Sequence, residues 1–565
     1  LTATTGDAKV TAKTDATIGM LKAEAGNATI EATDGALDVT TLNAKSLTAK
    51  AGTTLSATTL GVTGAAGLTS GGAMEVSDAN VGSVAAKAGS TLHVKKLTST
   101  GEATLTSKDE AKLDDVTAGT LAAESTAGSV NAGTLTATTG NASVTAKTDA
   151  TIGTLKAEAG GATIEATDGK LDVTTLNAKE HAALTSGGAM EVSEATVGSV
   201  AANAGSTLHV KKLTSTGEAT LTSNDEATLD DVTAGTLAAG STTGSVNAGT
   251  LTATTGDAKV TAKTDATIGM LKAEAGNATI EATDGALDVT TLNAKSLTAK
   301  AGTTLSATTL GVTGAAGLTS GGAMEVSEAT VGSVAANAGS TLHVKKLTST
   351  GEATLTSKDE ATLDDVTAGT LAAESTTGSV SAGTLTATTG DAEVKAKTDA
   401  TIGTLKAEAG SAIVKATDGK LDVTTLNAKK HAKLSSGGAM EVSEATVESV
   451  MANAGSTLHV KKLTSTGEAT LTSKDEATLD DVTAGTLAAE STAGSVNAGT
   501  LTATTGDAEV KAKKDVTIGT LKAEAGSTTI EATEGKLDVT TLNAKEHAAL
   551  TSGGDMVLTE AHANT

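Results

Sequence analysis

The sequence predicts an all-β chain: a right-handed parallel β-helix (β-solenoid) of about 19 residues per turn, drawn out into an elongated rod. Three observations carry that expectation. They are a long internal repeat, an 18-residue difference between its two forms, and an apolar/polar alternation of period two.

The repeat sets the scale. Leu-Thr-Ala-Thr-Thr-Gly begins at Leu1, Leu135, Leu251, Leu385 and Leu501, at spacings of 134, 116, 134 and 116 residues. Long units therefore start 250 residues apart, and residues 1–77 are identical to 251–327. One continuous solenoid over 1–565 is expected, in units 1–134, 135–250, 251–384, 385–500 and a partial 501–565. Self-similarity at fixed spacing marks stacked repeat architectures.

The two forms differ at one place. Residues 42–72 of the long form correspond to 176–188 of the short form, and the 18 extra residues leave both flanks in register. An insertion that preserves register on both sides is expected to be one whole turn. The long unit then holds about seven turns and the short unit about six, within the range of solenoid repeats.

Within a turn the pattern is that of a half-buried strand. Ala8, Val10 and Ala12 alternate with Lys9, Thr11 and Lys13, and Ala28, Ile30 and Ala32 with Thr29, Glu31 and Thr33. Alternate side chains of a strand face opposite ways. Ala8, Val10, Ala12, Ala16 and Ile18 are expected inside, with Gly6 and Gly19 at corners. Gly, Asp and Asn punctuate the segments, as turns require. About three strands of three to five residues fill each turn.

Stacking such turns at about 4.8 Å pairs the backbone above and below and leaves few orphaned groups. Right-handed crossovers are the rule for parallel strands. Proline would delete a ladder bond, and there is none. About 29 turns at that spacing would extend roughly 140 Å. A helical or disordered chain is the rival reading, but Thr and Gly are poor helix formers and no 3.6-residue stripe persists.

Composition narrows the function. The chain lacks Phe, Trp, Tyr, Pro, Cys, Arg and Gln. Its core must therefore be thin and built from Ala, Leu, Val and Ile. The net charge of −25, from 66 acids against 41 lysines, excludes a generic nucleic-acid binder, which needs a basic face. It suits a surface that repels its own copies. Without Cys there are no disulfides, thiolate metal sites or Cys nucleophiles. No apolar run approaches the ~20 residues of a membrane-spanning helix. The chain starts at Leu1 without a signal peptide, so a segment of something longer is expected. Open solenoid ends invite association unless covered. Further coils or end-to-end copies would cover them, and further coils are the favoured expectation.

These phrases carry a family resemblance. The G-x-L-x-A and A-x-V-x-A elements at Gly133–Ala137, Ala142–Ala146 and Gly153–Ala157, with Gly/Asn/Asp turns, resemble the repeats of filamentous-haemagglutinin-like exoproteins. The likeness runs over essentially the whole chain. It implies an extracellular stalk or adhesive fibre, secreted through an outer-membrane partner pore. The chain departs from the family in lacking Gln, Arg and aromatics, and it carries neither the amino-terminal secretion domain nor a basic patch.

Candidate site residues are few. His93, His209, His343 and His459 occupy one slot, Thr-Leu-His-Val-Lys-Lys, and should point outward from turns too far apart to share a metal. His181, His431 and His547 fall where the extra turn is missing, and a loop is expected there. His562 lies near the end of the sequence and points to no chemistry. The pairs Asp114/Asp115, Asp230/Asp231, Asp364/Asp365 and Asp480/Asp481 read as a solvated corner; strand geometry would aim adjacent carboxylates apart unless a turn intervenes. Residues 69–75 lack the Lys-Ser/Thr of a phosphate loop. Thr-Ala-Thr at 2–4, 136–138, 252–254, 386–388 and 502–504 would suit an ice-binding array only if Thr recurred on consecutive turns, and Lys/Asn neighbours break it.

No catalytic, cofactor or metal residue is assigned. The expectation is a non-enzymatic extracellular fibre that meets copies of itself or a surface carbohydrate or protein. The alternatives are a polysaccharide-active β-helix enzyme and an ice- or mineral-binding solenoid.

Overall fold

The computed structural model describes residues Leu1–Ala563, which hold strands and corners and no helix. The chain divides into two compact units, Leu1–Gly285 and the part from Ala286 onward. Within each unit the strands pair in parallel with the turn before and the turn after.

Leu171–Ser186 shows how one turn is built. Leu171 and Val173 point inward around Asp172 and form a first face. Thr174 and Thr175 both face outward, and this two-residue corner swings the chain onto a second face, where Leu176 and Ala178 are buried. Lys179, Glu180 and His181 make a second corner. Ala182, Leu184 and Ser186 form the third face, and Gly187–Ala189 lead into the next turn at Met190. The expected three faces are present. The strands are longer than expected, because the first corner keeps strand geometry and joins two faces into eight residues, as in Ala150–Ala157.

In the first unit, Leu37 pairs with Leu55, Leu55 with Met74, Val130 with Ala150, and Ala16 with Leu37. Those offsets are 18, 19, 20 and 21 residues, so the turn averages near 19 without being constant. The second unit repeats the scheme, with Leu287 on Leu305, Leu305 on Met324 and Leu537 on Met556. The inserted segment is one turn: Leu37 reaches Met74 through Leu55, whereas Leu171 pairs with Met190 directly.

Corner length explains the variation. In these four-residue corners the last backbone N–H is not taken by a carbonyl of the turn beneath. An Asp or Asn of the previous turn takes it: Asn141 Oδ1 accepts from Gly161 N at 2.9 Å and Asp149 Oδ1 from Lys170 N at 2.8 Å. The second unit repeats both, with Asp391 to Ser411 and Asp399 to Lys420, each at 2.8 Å. A buried or half-buried donor without such a partner costs free energy.

Gly6 and Gly19 do lie at corners, but no residue in the described structure has positive φ. Glycine is needed for close approach instead. A Cβ at Gly198 would sit 2.6 Å from Lys179 O and 2.7 Å from Glu180 O of the turn below.

The core is a narrow column of Leu, Val, Ile and Ala. Val260 and Ile268 are 0% and 1% exposed, with a turn on either side. Val10 and Ile18 occupy the same phase and are half-buried, each pairing with the following turn in the described structure; Ala12 is half-buried too, while Ala8 and Ala16 are buried. Serines also enter this column at the end of the third face. Ser107 pairs with Ser125, and Ser223 with Ser241. Ser241 Oγ accepts from Gly244 N at 2.9 Å, whereas Ser223 Oγ is buried without a partner.

Candidate functional site

The first face and first corner carry a cluster of charged residues that occurs four times. Its cause is the two-residue corner, which turns consecutive side chains outward. In the first copy Glu75 and His93 are register partners, and Lys95 and Asp114 stand at the adjoining corner. Lys95 Nζ donates to Glu75 Oε1 at 2.6 Å, and His93 Nε2 donates to Asp114 Oδ2 at 3.1 Å. The later copies reproduce the His–Asp contact at 3.2 Å (His209–Asp230), 3.3 Å (His343–Asp364) and 3.1 Å (His459–Asp480).

One sequence difference has a structural reason. Asp78 faces Lys96 in register, and no ion pair forms there among the described residues. Where Glu replaces it, the longer side chain reaches: Lys212 to Glu194 at 3.1 Å, Lys346 to Glu328 at 2.9 Å and Lys462 to Glu444 at 2.8 Å.

The electrostatics are local. The hydrogen bond from Lys95 holds the Glu75 carboxyl below its ordinary value, with the lysine charge adding to it and His93 contributing less. Glu191, Glu325 and Glu441 are lowered in the same way by Lys211, Lys345 and Lys461. All these groups are well exposed, so solvent screens most of the energy.

The histidines of this slot do point outward, each in its own cluster. The Asp pairs lie at the solvated corner expected of them: a turn intervenes there, and Asp114 and Asp115 both face solvent. Asp114 serves His93 and Asp115 lies opposite Lys96. His181 and His431 are not in loops. They lie within the strands Leu171–Ser186 and Leu421–Ser436, at the second corner, where the ring Nδ1 meets Ser199 Oγ at 2.9 Å and Ser449 Oγ at 2.6 Å. His547 sits in a three-residue corner, its backbone N–H donating to Ser527 Oγ at 3.3 Å. His562 Nε2 meets Glu560 Oε1 at 3.0 Å. No group of three or more His, Asp or Glu is placed to hold a metal among the described residues.

The Thr pattern also needs correcting. On the second face Thr196, Thr214 and Thr233 pair in succession, and Thr233 continues to Thr252. Threonine therefore does recur on consecutive turns, in single file. On either side of such runs the file passes through Lys and Asn, as at Lys156 and Asn177.

Sequence reading missed the partners within the charged cluster and the buried serines. A signal existed for each. Written with 18 residues per line, Glu75 falls above His93, and Ser223 shares the inward phase of Ala219 and Leu221.

The fold defines a parallel β-solenoid repeat protein. No family model, curated protein or solved structure matches this chain.

Proposed function

We propose that this chain is the shaft of an extracellular structural or adhesive fibre, one that gives reach from a cell surface and offers repeated faces for attachment. One observation carries the reading. Each unit stacks the same three-faced turn many times, and the outward charged clusters recur with their ion pairs made within the chain. Repetition of this kind suits a role in which length and surface matter more than a single unique site. The resemblance to filamentous-haemagglutinin-like repeats agrees with secretion through an outer-membrane partner.

Immuno-electron microscopy of the producing cells tests it. Antibody raised against this chain should decorate filaments projecting from the surface. Label confined to the cytoplasm would overturn the reading.

The single-file threonines favour a second reading, an ice- or mineral-binding face. Its test is thermal hysteresis of the purified chain, abolished by Thr214→Lys and Thr233→Lys together.

A further inference from the structure

The inserted turn enlarges a groove that opens beside a four-residue corner; where the turn is missing, as at Glu524 and Asn543, the matching recess is smaller and is lined also by Lys522, Lys545 and His562. The corners that follow the second face have four residues at 24–27, two at 45–46, three at 63–65 and two at 82–83. The long corner stands proud and the short ones are recessed behind it. A groove of about 500 Å³, open to solvent, lies in that recess and runs across successive turns. Glu24, Asn43, Gly61, Thr63, Asn80 and Gly82 contribute to its lining.

Its chemistry is specific in kind. Asn43, Gly61 and Asn80 are in register on three successive turns. Gly61 leaves a gap between two carboxamides, and the Asn43 side chain leans over it. Neither carboxamide has a hydrogen-bonding partner among the described residues. Each offers both donors and an acceptor. The lining includes no lysine or histidine, which disfavours an anion, and Glu24 is its one carboxylate, which disfavours a bound metal. A wholly apolar ligand would strand the carboxamides. An extended peptide advances ~3.4 Å per residue, out of step with turns ~4.8 Å apart. A pyranose in a linear glycan advances by about the rise of one turn.

We propose that this groove binds an uncharged linear oligosaccharide along the stacking direction, with Asn43 and Asn80 as its hydrogen-bonding residues. The proposal rests on reading the chain as a surface fibre and names the class of ligand that one face of it takes. Affinity should be modest, since the chain has no aromatic ring to stack on a sugar.

The test uses the whole chain and calorimetric titration with neutral tetrasaccharides of β1→4 glucose, β1→4 N-acetylglucosamine and α1→4 glucose, with tetragalacturonate as the acidic counterpart. The later copy carries Asn293, Gly311 and Thr330 at the corresponding places, so each change is made in both copies. One variant combines Asn43→Ala, Asn80→Ala, Asn293→Ala and Thr330→Ala. A second deletes residues 46–63 and 296–313, which restores the spacing found at 176–188. An unchanged far-ultraviolet strand spectrum shows that the deleted chain still folds. At least one neutral tetrasaccharide should bind, at least fivefold more weakly to either variant, and Asn177→Ala should change nothing. Absence of neutral binding, binding indifferent to both variants, or preference for tetragalacturonate would each overturn the proposal. All three leave the microscopy of surface filaments unaffected, so the groove and the shaft fail separately.

Discussion

Thr528 is a core residue whose hydroxyl has nothing to bond. It is 1% exposed, it pairs in register with Ala508 and Ala548, and its Oγ1 is buried without a partner. The same slot is a buried Ala at 28, 162, 278 and 412. A buried hydroxyl stripped of water and left unbonded costs about 1–3 kcal/mol. Valine has the same outline and lacks the hydroxyl, and strands favour it. Thr528→Val should therefore stabilise its turn by about 1–3 kcal/mol. Thr528→Ala should gain less, because it forfeits a buried methyl worth about 0.8 kcal/mol. A solenoid opens locally, so the gain belongs to this turn and its neighbours. Native-state hydrogen exchange of Thr528–Ala532 reads it directly, as protection raised about 5- to 150-fold. The outward neighbour Thr529 is the control, and Thr529→Val should stay within about 0.5 kcal/mol of the parent. Unchanged or reduced protection in Thr528→Val would refute the reasoning, since it would mean that the hydroxyl is satisfied.

Other expectations follow from the same geometry. Gly198→Ala drives a Cβ against two carbonyls of the turn below and should cost about 1–3 kcal/mol in thermal melts, as overpacking does. Gly67→Ala, whose nearest obstacle is Leu47 O at 3.7 Å, should be close to neutral; equal losses at both sites would contradict the close-approach account. Asp149→Ala removes the acceptor for Lys170 N and should weaken that corner by about 1–2 kcal/mol, seen as faster exchange of the Lys170 amide, with Asn at 149 restoring most of it. Glu75 titrates below its ordinary value of 4.5 because of Lys95. Its ion pair therefore contributes fully above that ordinary value and is lost as pH falls through the lowered one. Lys95→Ala should move the Glu75 titration back toward 4.5 in carboxyl-resolved NMR, and an unmoved midpoint would show that the pair is not formed in solution.

The legible part of the fold was the part encoded locally. Val260 and Ala262 are inward because strand side chains alternate, and that is visible in five letters. The insertion at 42–72 was readable as one turn because only a whole turn preserves register on both flanks. The first corner was not legible. Asp114–Asp115 interrupts the alternation, and an interruption can be read equally as a loop or a strand end. His181 was misplaced for a related reason. Three polar residues in a row look like a loop, yet Glu180 N donates to Gly160 O of the turn below at 3.1 Å and His181 pairs with Ser199 of the turn above.

By itself, then, the sequence determined the turn, its inward face and its number of copies, because period and repeat length are properties of one strand and of an identical neighbour. The tertiary structure alone decided which outward residues meet. Offsets of 18 to 21 residues shift with each corner, so the contacts of His93 with Asp114, or of Asn43 with Gly61, exist only once every corner length is fixed. The same stacking gave Gly198 its reason, since the atoms that a Cβ there would strike belong to the turn below, 18 or 19 residues away in the chain.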